Sequence, residues 1–165
     1  AAMKIVRDSA DVWNLNPRDI GIMGSSAGGH LASTIATHAK PELRPDFQIL
    51  FYPVISMDPK INHRGSRINL LGQNPSAEKV REYSNELQVT PQPPPAFIMH
   101  SSDDTAVPVA NSLNYFQALV NNQVPASSLH VYPVGGHGWG YNDSFPYKRQ
   151  WTGELEKWLR EISKL

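Results

Sequence analysis

Gly24-Ser25-Ser26-Ala27-Gly28 follows the strand-like run Asp19-Ile20-Gly21-Ile22-Met23 and sets a serine at the centre of a G-x-S-x-G pentapeptide. In this pattern a sharp strand-to-helix turn lifts the serine hydroxyl above a sheet edge, where it can act as a nucleophile. Ser26 is the candidate nucleophile. The glycines at positions 24 and 28 fit the pattern because a turn this tight leaves little room for β-carbons. Leu31, Ala32, Ile35 and Ala36 recur at helical spacing beyond it, so the serine opens a helix N-terminus whose free N–H groups and positive dipole suit a developing oxyanion. The N–H of Ala27 is the candidate oxyanion donor. Glycine and serine also cluster in plain strand-to-helix turns, so the pentapeptide acquires meaning only from partners elsewhere in the chain.

Two such partners exist. The apolar run Phe97-Ile98-Met99-His100 ends in Ser101-Ser102-Asp103-Asp104 and then Thr105-Ala106-Val107-Pro108, so a strand end delivers two carboxylates into a loop. Either Asp103 or Asp104 could orient a histidine; the alternative duty for both is helix capping near Val109 or a solvated turn. Further on, Gly135-Gly136-His137-Gly138-Trp139-Gly140 follows the run Leu129-His130-Val131-Tyr132. A histidine set among glycines is expected on a mobile, open loop, free to reach a serine hydroxyl. His30, His38, His63, His100 and His130 lack that setting and read as structural or exposed.

The chain order is Ser26, then Asp103 or Asp104, then His137. At these residues the sequence resembles the α/β-hydrolase superfamily, and within it bacterial acetylxylan or feruloyl esterase-like proteins related to the prolyl oligopeptidase group. The resemblance also rests on Gly65-Ser66-Arg67-Ile68-Asn69-Leu70-Leu71-Gly72, on Tyr83-Ser84-Asn85-Glu86 and on Asn111-Ser112-Leu113. It implies a Ser…Asp…His triad. In the family the acid commonly stands four residues after the strand-end histidine and four before the proline, and both counts select Asp104, with Asp103 the alternative if the turn carries an extra residue. The implied chemistry is acyl transfer to Ser26, with His137 as base and no metal or organic cofactor. The implied substrates are short acyl esters of plant polysaccharide, with prolyl-oligopeptidase-like peptidase activity, or a catalytically weak or inactive folded fragment, as the alternatives.

The elements that must position these side chains alternate in type. Strands are expected over 19–23, 47–52, 96–100 and 128–133, and helices over 27–40, 109–122 and 146–164, the last amphipathic through Trp151, Leu155, Trp158, Leu159, Ile162 and Leu165. This predicts an α/β fold: a three-layer parallel sheet with flanking helices, in one domain over 1–165. A first helix is expected through Ile5, Val6, Ala10 and Trp13 to Asn16-Pro17. Residues 56–88 form an insertion, or cap, above the strand ends, with a helix near 76–83. Arg64, Arg67, Asn69 and Asn74 there are expected mainly on solvated surface, and Trp139 and Tyr141 in packing. The Pro-rich stretch 90–95 reads as a stiff connection.

The family fold places further strands before the nucleophile strand, so the chain is expected to be the C-terminal part of that fold, its N-terminal strands missing. An unpaired sheet edge would then drive self-association or require the missing half. The formal charge of +0 and the lack of a basic run argue against nucleic acid as a partner. No signal peptide or membrane-spanning run is legible, and the expected compartment is cytoplasmic, or secreted if a leader is lost with the N-terminal part. With no cysteine, disulfides and thiolate metal sites are excluded.

Overall fold

Four short apolar runs pair into one parallel sheet in the order β1-β2-β3-β4, comprising Ile22–Ser25, Gln48–Phe51, Ala96–Ser101 and Ser128–Tyr132. The computed structural model describes residues 2–90 and 92–163; the expectations that fall on Pro91, Lys164 and Leu165 lie outside them. Six α-helices accompany the strands: α1 Ala2–Asp8, α2 Ala27–His38, α3 Arg64–Leu71, α4 Ala77–Glu82, α5 Ala110–Asn121 and α6 Lys148–Ile162. None is long and apolar enough to cross a membrane.

The two-residue period of the strands divides the core. Ile49, Phe51, Phe97 and Met99 face one side, where Trp151 and Trp158 of α6 pack on them together with Tyr132, Trp139 and Phe145. Leu50, Ala96 and Ile98 face the other, against Ala32 of α2 and Tyr115 and Leu119 of α5. Helix, sheet and helix therefore form three layers, as the alternating pattern predicts. β2 and β3 are buried on both faces, which is why they read as unbroken apolar runs rather than alternating ones. In register, Ser25 lies beside Phe51 and Phe51 beside Met99, so the C-terminal ends of β1, β2 and β3 come level at one rim. The reactive segments 26, 101–107 and 133–140 leave the strands at that rim.

Several element boundaries differ from expectation. β1 starts at Ile22 rather than at position 19 because Asp46 pins the preceding residues: its carboxylate accepts from Ile20 N at 2.7 Å and its own N–H donates to Ile20 O at 2.9 Å. α1 stops at Asp8 and gives way to turns; of the expected apolar face Ala10 is buried and Val6 half-buried, but Ile5 and Trp13 stay exposed at 57% and 52%. β4 ends before Pro133, which has no N–H to continue a ladder. The helix α3 was not foreseen; its N-cap is His63, whose Nδ1 accepts from Ser66 N at 3.2 Å.

Among the described residues β1 pairs only with β2. Its outer edge borders a groove of about 770 Å³ whose walls include Met23, Tyr52, Trp151, Leu155 and Leu159.

Candidate active site

Ser26 sits between β1 and α2 with φ 54 and ψ −122, a left-handed conformation that a non-glycine residue adopts only under strain. The surrounding chain holds it there: Ser26 N–H donates to Phe51 O at 3.0 Å, and Ser26 O accepts from Gly29 N at 3.0 Å and Val54 N at 3.0 Å. A β-carbon at Gly24 would stand 2.2 Å from Gly28 O, and one at Gly29 would stand 2.6 Å from Pro53 Cβ. A β-carbon at Gly28 would meet nothing within 4 Å. The expectation that glycine is needed at 24 and 28 is therefore corrected to 24 and 29.

The hydroxyl of Ser26 makes no capping bond to its own helix and instead lies 2.8 Å from His137 Nε2. His137 Nδ1 lies 2.6 Å from Asp104 Oδ2. Since a carboxylate only accepts, Nδ1 carries the ring proton and Nε2 is left to accept from Ser26. The other oxygen of Asp104, Oδ1, accepts from Ala106 N and Val107 N, both at 2.9 Å, and the side chain is fully buried. Of the two adjacent aspartates, Asp104 is thus the one that touches His137. Asp103 faces the other way and accepts from Gly136 N at 2.8 Å and Gly135 N at 3.2 Å, clamping the backbone from which His137 projects.

That clamp corrects a second expectation. The glycine-rich loop is held, not free: Gly140 N donates to Tyr52 Oη at 3.0 Å, Trp139 Nε1 donates to Ser101 Oγ at 2.9 Å, and the Trp139 ring stacks on Phe145 at 4.0 Å. Its glycines are required by conformation, with φ of 59 at Gly136 and 85 at Gly138. Gly135 also leaves room, since a β-carbon there would lie 2.5 Å from the Phe145 ring. The Tyr52 ring packs against His137 at 4.7 Å, and burial raises the Tyr52 phenol above its usual pKa so that it stays protonated. Nothing in the sequence singles out Tyr52; its side chain is aimed by a positive φ of 35 just after β2.

Ala27, the first residue of α2, has no intrahelical acceptor for its N–H and is exposed. Beside it a cavity of about 430 Å³ runs under α3, with Leu31, Met57, Asn69, Leu70 and Tyr83 in its walls. The segment 56–88 is fastened to α2 from beneath. Asn85 donates to His30 O at 3.2 Å and Ser33 Oγ at 2.7 Å, and His30 Nε2 donates to Tyr83 O at 2.8 Å. Arg64, Asn69 and Asn74 are exposed, as expected, whereas Arg67 Nε donates to Met57 O at 3.2 Å. Trp139 is buried, but Tyr141 is exposed and lies under the Lys148 ammonium at 3.6 Å. Among the described residues no group of three or more His, Cys, Asp or Glu is disposed to hold a metal ion.

The family model described as the prolyl oligopeptidase family matches residues 3–165. The chain belongs to this family. It is 47% identical over 163 residues to an acetylxylan esterase of Xylanibacter ruminicola, spanning 96% of this chain and 34% of that protein. It is 36% identical over 148 residues to endo-1,4-beta-xylanase B of Butyrivibrio fibrisolvens, spanning 83% of this chain and 23% of that protein. Among solved structures it superposes on an acetyl ester-xyloside bifunctional hydrolase from Caldicellulosiruptor lactoaceticus with a TM-score of 0.92 at 40% identity, covering 98% of this chain and 63% of that one. A second, an alpha/beta hydrolase enzyme from a Medee basin deep-sea metagenome library, gives a TM-score of 0.75 at 25% identity, covering 99% and 62%. The resemblance and the fold class read from the sequence therefore stand. The chain spans about a third or less of its curated relatives and less than two thirds of these solved chains.

Proposed function

We propose that the chain carries the acyl-transfer centre of a serine carboxylic ester hydrolase acting on short acyl esters, acetyl or feruloyl, of plant polysaccharide or its oligosaccharides. The observation that carries this reading is the continuous contact from Ser26 Oγ through His137 to Asp104, at 2.8 and 2.6 Å. The substrate class is supported by the names of the relatives, an acetylxylan esterase and an acetyl ester-xyloside hydrolase.

In this mechanism Ser26 Oγ attacks the ester carbonyl carbon while its proton passes to His137 Nε2. Asp104 fixes the ring tautomer and stabilises the imidazolium. The carbonyl oxygen takes the negative charge at the N–H of Ala27, a preorganised donor at the positive end of α2. Collapse of the tetrahedral intermediate breaks the bond to the leaving alkoxide, which takes the proton back from His137. Water, deprotonated by the same Nε2, then attacks the acyl-serine and releases the acid and Ser26. One oxyanion donor is typically worth about 10²–10³ in turnover.

The test is hydrolysis of p-nitrophenyl acetate by the 165-residue chain beside Ser26→Ala, with burst kinetics recorded. A burst lost in the variant and no cleavage of a proline-linked amide are the expected results. Equal ester rates in both proteins would overturn the proposal for this chain, and cleavage of the amide in preference to the ester would make it a peptidase.

A further inference from the structure

Behind Asp104 lies a buried polar pair that the acyl-transfer mechanism does not use. His100, on β3, is fully buried, with Nε2 2.9 Å from Val107 O and 3.3 Å from Asp104 Oδ2. Its Nδ1 is 2.7 Å from Ser112 Oγ, on α5 and equally buried. A carbonyl oxygen can only accept, so Nε2 bears the proton. Nδ1 is then unprotonated and accepts from the Ser112 hydroxyl, which fixes the orientation of the ring. The Nε2–H is left shared between Val107 O and the same carboxylate oxygen that receives His137 Nδ1–H.

Both acceptors belong to one turn. Val107 N donates to Asp104 Oδ1 while Val107 O accepts from His100, so the imidazole grips the turn at its far end and touches the carboxylate at the near end. Ser112 is itself fixed, because neighbouring Asn111 accepts from Ile55 N and Ser56 N and donates to Ile61 O and Pro108 O. The chain of contacts therefore runs Ser112, His100, Asp104, His137, Ser26 without a gap longer than 3.3 Å.

We propose that His100, with its ring oriented by Ser112, is a positioning residue that holds the Asp104 carboxylate in the rotamer that meets His137. This rests on the reading of Ser26, His137 and Asp104 given above. Burial holds His100 below its usual pKa and so in the neutral form. Neutrality suits the role: a neutral donor orients the carboxylate, whereas an imidazolium here would compete with His137 for its charge.

The test uses the full chain and the variants His100→Leu, His100→Gln and Ser112→Ala. A glutamine places an amide N–H near the position of Nε2, and leucine places none there. Losing a hydrogen bond to a charged group predicts that His100→Leu lowers kcat on p-nitrophenyl acetate about 10–100-fold with KM within about twofold. His100→Gln recovers most of that loss, and Ser112→Ala, which removes the bond that orients the ring, costs about three- to tenfold. The companion readout needs no turnover: the downfield proton resonance of His137 Nδ1–H persists in wild type and His100→Gln and is lost or moved upfield in His100→Leu. Wild-type kcat and an unmoved resonance in both His100→Leu and Ser112→Ala would overturn the proposal. Should His100→Leu fail to fold, Ser112→Ala alone decides, an unmoved resonance with unchanged kcat again overturning it. Absence of Ser26-dependent hydrolysis in wild type would instead count against the ester-hydrolase reading, and the resonance would still decide on His100.

Discussion

The two flanks of Ser26 are built on different principles. On the side of β3 and β4, each reactive group is held by several polar contacts that converge from distant parts of the chain: Asp104 by two backbone N–H groups and His137, the glycine loop by Asp103, Tyr52 and Ser101. On the side of β1, the elbow is held by steric fit and backbone bonds, Ala27 offers one donor, and beyond it lies an edge with no further strand among the described residues. The contacts of His137 and Asp104 thus lie within this chain, whereas Ala27 stands beside a sheet edge that has no partner strand among the described residues. Chemistry that depends on the first flank should be sensitive to single hydrogen-bonding atoms, and structure on the second to volume.

The adjacent aspartates give the largest contrast. Asp104→Asn replaces an acceptor with a group that can also donate, which favours the wrong tautomer of His137, and a fall in kcat of about 10⁴ is expected. Asp103→Asn keeps one acceptor for the two loop N–H groups and should cost about tenfold at most. Comparable losses in the two variants, measured on one ester, would mean that holding the loop matters as much as touching the imidazole.

On the other flank the contrast lies between two glycines. Gly24→Ala drives a methyl group onto a backbone carbonyl that cannot move without dismantling the elbow, and a loss of roughly 3–5 kcal/mol in unfolding free energy is expected. Gly28→Ala enters open space inside a helix and should be neutral, or stabilising by about 0.5–1 kcal/mol. Urea denaturation of both proteins checks this, and a stable Gly24→Ala would show that the elbow is softer than its packing suggests.

The open edge predicts behaviour in solution. Among the described residues β1 has no strand on its outer edge, Met23 is 60% exposed, and the adjoining groove is lined by Trp151, Leu155 and Leu159. Of the two occupants expected from the sequence, a second copy and the missing half, a second copy would give a mass above that of a monomer in light scattering. Met23→Lys should shift the balance toward monomer, because a charged residue on an edge strand discourages pairing. A monodisperse wild-type monomer would count against self-association along this edge.

Legibility in the sequence divides along the same line. Ser26, Asp103, Asp104 and His137 could be picked out as candidates because a serine, two carboxylates and a histidine stand at strand ends, flanked by glycine or proline. The parallel sheet was legible because apolar runs alternate with helical periodicity. Tyr52 and the loop clamp of Asp103 rest on contacts between segments far apart in sequence, and no local pattern marks a side chain for such a contact. α3 was missed for a local reason: Arg64-Gly65-Ser66-Arg67-Ile68-Asn69 is poor in strong helix formers, and its cap is a histidine, outside the usual set of Ser, Thr, Asp and Asn. Gly28 looked essential because the pentapeptide names it, while the collision with Pro53 that makes Gly29 necessary depends on a loop 24 residues away.

A buried histidine on each flank sets the smallest expected effect. His30, on α2, and His100, on β3, both have pKa values lowered from 6.5, in each case chiefly by burial. In the unfolded chain each takes up a proton near pH 6.5, while in the fold it does so only at lower pH. Over that interval the unfolded state binds more protons, so stability falls as pH drops below about 7 and levels off once the folded pKa is passed. Each histidine contributes at most about 1.4 kcal/mol per pH unit. Glu86, raised by burial, opposes them from the ordinary carboxylate range upward, because there the fold holds the proton that the unfolded chain releases. The quantity to read is therefore the difference between wild type and His30→Gln in urea denaturation from pH 8 to pH 5.5, in which the Glu86 effect cancels. That difference should be constant above pH 7 and should move in favour of His30→Gln as the pH falls. A difference independent of pH would mean that His30 titrates alike in both states, and that the bond to Tyr83 O offsets its burial.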